Sequence, residues 1–177
     1  MDLPAEILGA LRSTRPGQSP ATVLRQNHAI EHATVTLINR KSPGAQVIAR
    51  SDLQGFIVYG DVDTVILQSA AEEALARLQA GESSLAVHPN CGTNLVTAGV
   101  LSGLAALAAG SGRNRSLWDR IPGAILGATL ALFVSAPAGR WVQANITTDS
   151  HVAGLRISSV VRLDGGSLVR HRVTIEE

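Results

Sequence analysis

Two histidines four residues apart with a glutamate between them, His28-Ala-Ile-Glu31-His32, have types and spacing that fit a definite chemistry. On a helix, positions four apart share one face, with about 5 to 6 Å between their Cβ atoms. Paired imidazoles at that separation clasp a transition metal, zinc above all. The order His-x-x-Glu-His inverts the better-known zinc-protease pattern, in which the glutamate takes a proton from a metal-bound water. His88 and Cys91 form a second pair with ligand spacing, and Gly92 beside them lets backbone approach closely. Cys91 is the one cysteine in the chain, which excludes an intramolecular disulfide. The plain alternatives are a solvated helix face for the first pair and a small buried thiol for the second. His151 and His171 fall in a strand-like region and read as surface or hydrogen-bonded core residues.

The elements that must carry these residues follow from local signals. Ser19-Pro20 is a helix start, a capping side chain before proline at the first helical position. Apolar residues then recur at Leu24, Ala29, Ala33 and Leu37 without glycine or proline until Pro43-Gly44, so the His-x-x-Glu-His segment lies on a helix. Val47–Ala49 and Phe56–Tyr59 read as two short strands around a turn at 51–55. Asp63-Thr64 caps a second helix that Gly81 stops. Ser84–Val87 reads as a further short strand leading into His88-Pro89-Asn90-Cys91-Gly92. At the far end, two strand-like runs, 155–161 and 168–175, flank a hairpin turn at Asp164-Gly165-Gly166-Ser167.

Between these parts the chain changes character. Residues 90–112 and 121–139 contain no charged side chain, and each run is close to the ~20 residues that cross a ~30 Å hydrocarbon layer. Gly99 with Gly103, and Gly123 with Gly127, give the small-xxx-small spacing by which membrane helices approach each other. Trp118 and Trp141 bracket the second run as interfacial anchors do. The expectation is an α+β fold: a small soluble helix-and-strand domain with an inserted two-helix transmembrane hairpin. Residues 1–18 would form an N-terminal amphipathic helix (4–13), 19–91 the soluble part and 92–142 the hairpin. Residues 143–177 would form a β-hairpin that rejoins the soluble part. A membrane hairpin returns the chain to its starting side, so strands before and after it can join one sheet.

The pattern His28-Ala-Ile-Glu31-His32-Ala-Thr34, followed by His88-Pro-Asn-Cys91-Gly92-Thr93-Asn94 at the start of an apolar run, resembles the YqhQ-like family of bacterial membrane proteins. Those are described as predicted metal-dependent enzymes and show His-Gly-Ala-Glu-His-Lys-Thr and His-Pro-Arg-Cys-Gly-Thr-Ser in the same order. Gln143-Ala-Asn-Ile-Thr147-Thr148 resembles a further Gln-x-Leu-Thr-Thr stretch in them. The resemblance is to a compact relative. It implies a metal site in a bacterial inner membrane and adds Asn94 and Gln143 as candidate site residues.

Composition narrows the function. Fifteen basic and 14 acidic residues give a formal charge of +1, which is no field for nucleic acid. No nucleotide loop or dinucleotide glycine fingerprint is present. One reading is a zinc-dependent hydrolase, with peptidase as its concrete form. His28, His32 and one of Cys91 or His88 are then ligands, another divalent transition metal is an alternative, and Glu31 is the general base. Its substrate would be a membrane protein, a peptide or a lipid-linked amide at the bilayer surface. The other reading is a structural zinc site closed by His28, His32, His88 and Cys91 in a membrane assembly or scaffold protein. Membrane lipid is the expected partner, and homo-oligomers could form through the glycine-rich faces. The arginines of the 111–120 loop favour that loop in the cytoplasm. The absence of a signal peptide ahead of the first span favours a cytoplasmic soluble part, and that is the orientation expected.

Overall fold

The computed structural model describes residues 15–111, 116–163 and 169–177. The expected helix at 4–13, the loop arginines Arg113 and Arg115, and the turn at 164–167 lie outside the described residues. The fold is α+β, and the chain divides into two compact units. Unit 1 comprises the residues up to His88 and from Thr147 onward; unit 2 is Pro89–Ile146.

Unit 1 begins with helix α1, Pro20–Lys41, started as its sequence dictates: Ser19 Oγ accepts from the Thr22 amide at 3.1 Å. Strands β1 (Ile48–Asp52) and β2 (Gly55–Tyr59) follow, then α2 (Thr64–Gln79), β3 (Arg156–Leu163) and β4 (Arg170–Glu176). Asp63 Oδ1 caps α2 through the amides of Val65 and Ile66. The β1–β2 turn is tighter than expected. Ser51 pairs with Phe56 and Asp52 with Gly55, so only Leu53-Gln54 connect the strands. Gly55 makes this possible: its φ is +143°, and a Cβ there would overlap the Val173 carbonyl of β4.

The segment expected as a strand near Ser84–Val87 is instead a 3-10 turn, Ser83–Ala86. Amide-to-carbonyl bonds from Leu85 to Glu82 and from Val87 to Ser84 close it locally, and Leu85 and Ala86 are buried. A four-residue apolar run fits strand and turn equally well by composition, and here local closure satisfies the backbone.

The four strands form one antiparallel sheet in the order β1-β2-β4-β3. Its two central strands come from either side of unit 2 in the chain, as expected of strands that rejoin one sheet. The core is one cluster: Phe56, Val58, Val173 and Ile175 from the sheet, Ile30, Leu37 and Ile38 from α1, and Leu67, Ala70, Ala74 and Leu78 from α2.

Unit 2 is a pair of helices, α3 (Gly92–Gly110) and α4 (Leu117–Val142); a π-turn, Gln143–Thr147, follows α4 and ends on the first residue of the returning unit 1 segment. Both helices are long and apolar enough to cross a membrane. Helix α4 outruns the expected 121–139 at both ends, because Ser116 and Asp119 form a capping box and Pro137 does not interrupt it. Its contact face repeats every fourth residue. A Cβ at Gly123 would come within 2.9 Å of the Ala109 carbonyl, and one at Gly127 within 2.7 Å of the Ala105 carbonyl. Ala131, Ser135, Gly139 and Gln143 continue the stripe as buried positions. Gly99 and Gly103, expected in the same contact, face open space: a Cβ at either would meet nothing within 4 Å. Ala105 and Ala109 take the contact instead, and Gly99 and Gly103 are rotated off their face by the helical period.

Candidate metal centre

Helix α1 carries three of the expected site residues, and its polar side is tied down at several points. His28 Nδ1 lies 2.9 Å from the Thr147 carbonyl oxygen, and His32 Nδ1 lies 2.7 Å from that of Ala86. A carbonyl only accepts, so each Nδ1 carries a proton, and in the neutral ring that tautomer leaves the lone pair on Nε2. The two ring centres are 4.2 Å apart at 63°, and the His88 ring centre is 6.0 Å from that of His32. Two imidazoles on one tetrahedral zinc, with Zn–N near 2.0–2.1 Å, place their ring centres roughly 5 Å apart. The His28–His32 separation lies a little below that value and the His32–His88 separation about 1 Å above it, so the two α1 histidines are close enough to share an ion.

Neighbouring residues hold α1 in place. Asn27, fully buried, donates to the Asp52 carbonyl at 2.7 Å, and Gln26 donates to the His151 carbonyl at 2.7 Å. Arg15 donates to the side-chain oxygens of both, at 2.6 Å each. Burial weakens the hold of the Arg15 guanidinium on its proton, and the Glu177 charge opposes that effect. Buried amides need such partners, and here backbone carbonyls take the amide protons while the Arg15 side chain serves the amide oxygens.

Glu31 lies between the two histidines in sequence and is buried. Its carboxylate accepts a hydrogen bond from Ser51 Oγ on β1. In unit 1, then, the fold sets His28 against His32, leaves His88 farther out on the His32 side, and gives Glu31 a hydroxyl partner. Three contributors were not legible in the sequence: the Thr147 and Ala86 carbonyls and the Ser51 hydroxyl. The carbonyls leave no residue-type signal at all. Ser51 could have been found only from the strand register that sets it opposite Phe56.

In unit 2, Cys91 is the N-cap of α3, and its Sγ accepts from the Thr93 amide at 3.4 Å. It follows His88 by three residues in the chain. Asn94 and Gln143 meet each other: Gln143 Nε2 donates to Asn94 Oδ1 at 2.7 Å, and Asn94 Nδ2 donates to the Pro89 carbonyl at 2.7 Å. The two remaining histidines behave as expected. His151 is exposed and pairs with Asp149 at 2.8 Å, while His171 is fully buried against Thr64 Oγ1 at 2.9 Å.

The chain is similar to an uncharacterized protein of Picosynechococcus sp., 33% identical over 147 residues, which is 75% of this chain and 69% of that relative. No solved structure matches it. Residues 23–160 match the family described as "Domain of unknown function (DUF6391)". That span includes His28, Glu31, His32, the His88–Cys91 segment, both apolar helices and Gln143, and with most of its length so matched the protein belongs to the DUF6391 family.

Proposed function

We propose that this protein is a multi-pass metalloprotein of a bacterial inner membrane, with unit 1 as a soluble, cytoplasmic part and α3 and α4 as an inserted transmembrane hairpin. Its activity is metal-dependent hydrolysis of a peptide or lipid-linked amide at the bilayer surface. One observation carries the metal: both α1 histidines give Nδ1 to a backbone carbonyl, the arrangement that orients metal-binding imidazoles and makes them better ligands. Zinc suits the donor set. His28 and His32 are the fixed ligands, and the third comes from the 88–91 segment, as His88 or as Cys91. The motif likeness to the YqhQ-like family supports the same reading. In an open three-ligand site a bound ion would supply Lewis acidity towards water, and Glu31 would be the general base beside it.

A closed structural site is the second reading. It is favoured by the nearness of the His88 ring to His32 and by the bond from Ser51 that engages the Glu31 carboxylate. Protein purified without chelator should hold close to one equivalent of zinc by elemental analysis, and His32→Ala should hold none. Less than about 0.2 equivalents of any transition metal in the wild type overturns both readings. Glu31→Gln separates them. Under the hydrolase reading it keeps the metal and loses amide hydrolysis by about 10²-fold or more. Loss of metal or fold in Glu31→Gln rules out the general-base role.

A further inference from the structure

The contact stripe of α4 consists of small residues (Gly123, Gly127, Ala131, Ser135, Gly139) until its last position, which is the fully buried amide Gln143. An amide in an apolar helix pair is unfavourable unless its polar atoms are paired. Here they are paired in series, Gln143 to Asn94 and Asn94 to the Pro89 carbonyl. Gly139 makes room for the relay, since a Cβ there would overlap Asn94 Oδ1. Both ends of the relay lead by a few residues of chain to the candidate metal centre. Pro89 is bonded to His88. Gln143 opens the π-turn whose last residue, Thr147, offers its carbonyl to His28 Nδ1. Such π-turns are rare and concentrate where function needs them.

We infer that Asn94, Gln143 and Gly139 form a positioning latch. It fixes where the chain leaves α4 and where it enters α3, and so sets the Thr147 carbonyl that orients His28 and the 88–91 segment that supplies a further ligand. None of the three touches the metal. The inference rests on the proposed metal site for its consequence but not for its geometry.

The test uses the full chain in detergent micelles with two readouts. The first is zinc affinity by chelator competition. Asn94→Ala, Gln143→Ala and Gly139→Ala should each weaken it by about 10- to 100-fold, the range for residues that orient ligands. Asn94→Asp, which still accepts from Gln143 but cannot donate to Pro89, should fall between these and the wild type. Gly103→Ala, on the open face of α3, should leave affinity unchanged. The second readout is the His28 tautomer in metal-free protein by ¹⁵N NMR, expected as the Nδ1–H form in the wild type and as a mixture in the latch variants. Wild-type binding with latch variants within twofold of it, and an unchanged tautomer, overturns the latch and leaves the metal site standing. A wild type that binds no zinc overturns the metal site, and the tautomer alone then decides the latch.

Discussion

The two units arrange their side chains in opposite ways. In unit 1 the large apolar residues point inward: Phe56, Ile30 and Leu67 are fully buried beneath the sheet and helices. In unit 2 they point outward. Leu95, Leu107 and Phe133 are 72–78% exposed, no residue of α3 is buried within the structure, and the helices meet through glycine, alanine and serine. Water drives large side chains together, so unit 1 follows the rule for a soluble core. Lipid tails are as apolar as leucine and supply no such drive, which leaves close backbone packing to join helices. The contrast is the one that the proposed arrangement calls for, with water around unit 1 and lipid around unit 2.

The sharpest way to break this contrast is to truncate one phenylalanine in each unit. Phe56→Ala should cost about 3–5 kcal/mol, because it leaves a cavity among fixed neighbours. Phe133→Ala, on the outer face of α4, should cost less than about 1 kcal/mol, because detergent or lipid fills the space. Urea unfolding in detergent, followed by circular dichroism, measures both. Equal losses would mean that the outer face of unit 2 is covered by protein, and the contrast would fail.

A smaller effect sharpens the picture within unit 2. Gly127→Leu drives a side chain into Ala105 and Ala109 and should destabilise the helix pair by about 1–3 kcal/mol. Gly103→Leu meets open space and should change stability by under about 0.5 kcal/mol. If the two variants melt alike, the packing face has been assigned to the wrong side of α3.

The same contrast explains what was legible in the sequence. Ser19-Pro20 and Asp63-Thr64 announced α1 and α2 because caps act locally, through side chains that the sequence spells out. The apolar runs announced α3 and α4 because each is an uncharged stretch long enough for a helix that could cross a membrane. The choice of packing face was harder. Small-xxx-small spacing occurs on both helices. On α4 it continues every fourth residue from Gly123 to Gln143, and on α3 from Ala98 through Ser102 and Ala106 to Gly110. The Gly99–Gly103 pair instead runs into Leu95 and Leu107. That longer period was the signal that Gly99 and Gly103 lack. At the candidate metal centre the ligand types and spacings were legible, whereas their orientation depends on the Thr147 and Ala86 carbonyls. Any residue could supply those, so they emerge only from the fold.

The smallest predicted effect concerns pH, and it also separates the units. Unit 1 buries an ionisable group away from the candidate metal centre, His171, whereas the buried positions along α4 are Ala131, Ser135 and Gly139. Burial holds the His171 pKa below the ordinary imidazole value, the charge of Arg162 adds to this, and Asp63 opposes it. Above about pH 6.5 the ring is neutral in both folded and unfolded chains, and His171 gives stability no pH dependence. As pH falls below that, the unfolded chain takes up a proton that the native state refuses, so stability declines until pH passes the lower, folded pKa. His28 and His32 are present in wild type and in His171→Gln alike, so the difference between the two isolates His171. Urea midpoints at about pH 7.5, 6.0 and 5.0 should fall more steeply in the wild type than in His171→Gln. Parallel curves would show that His171 titrates equally in both states, and that its burial does not control protonation.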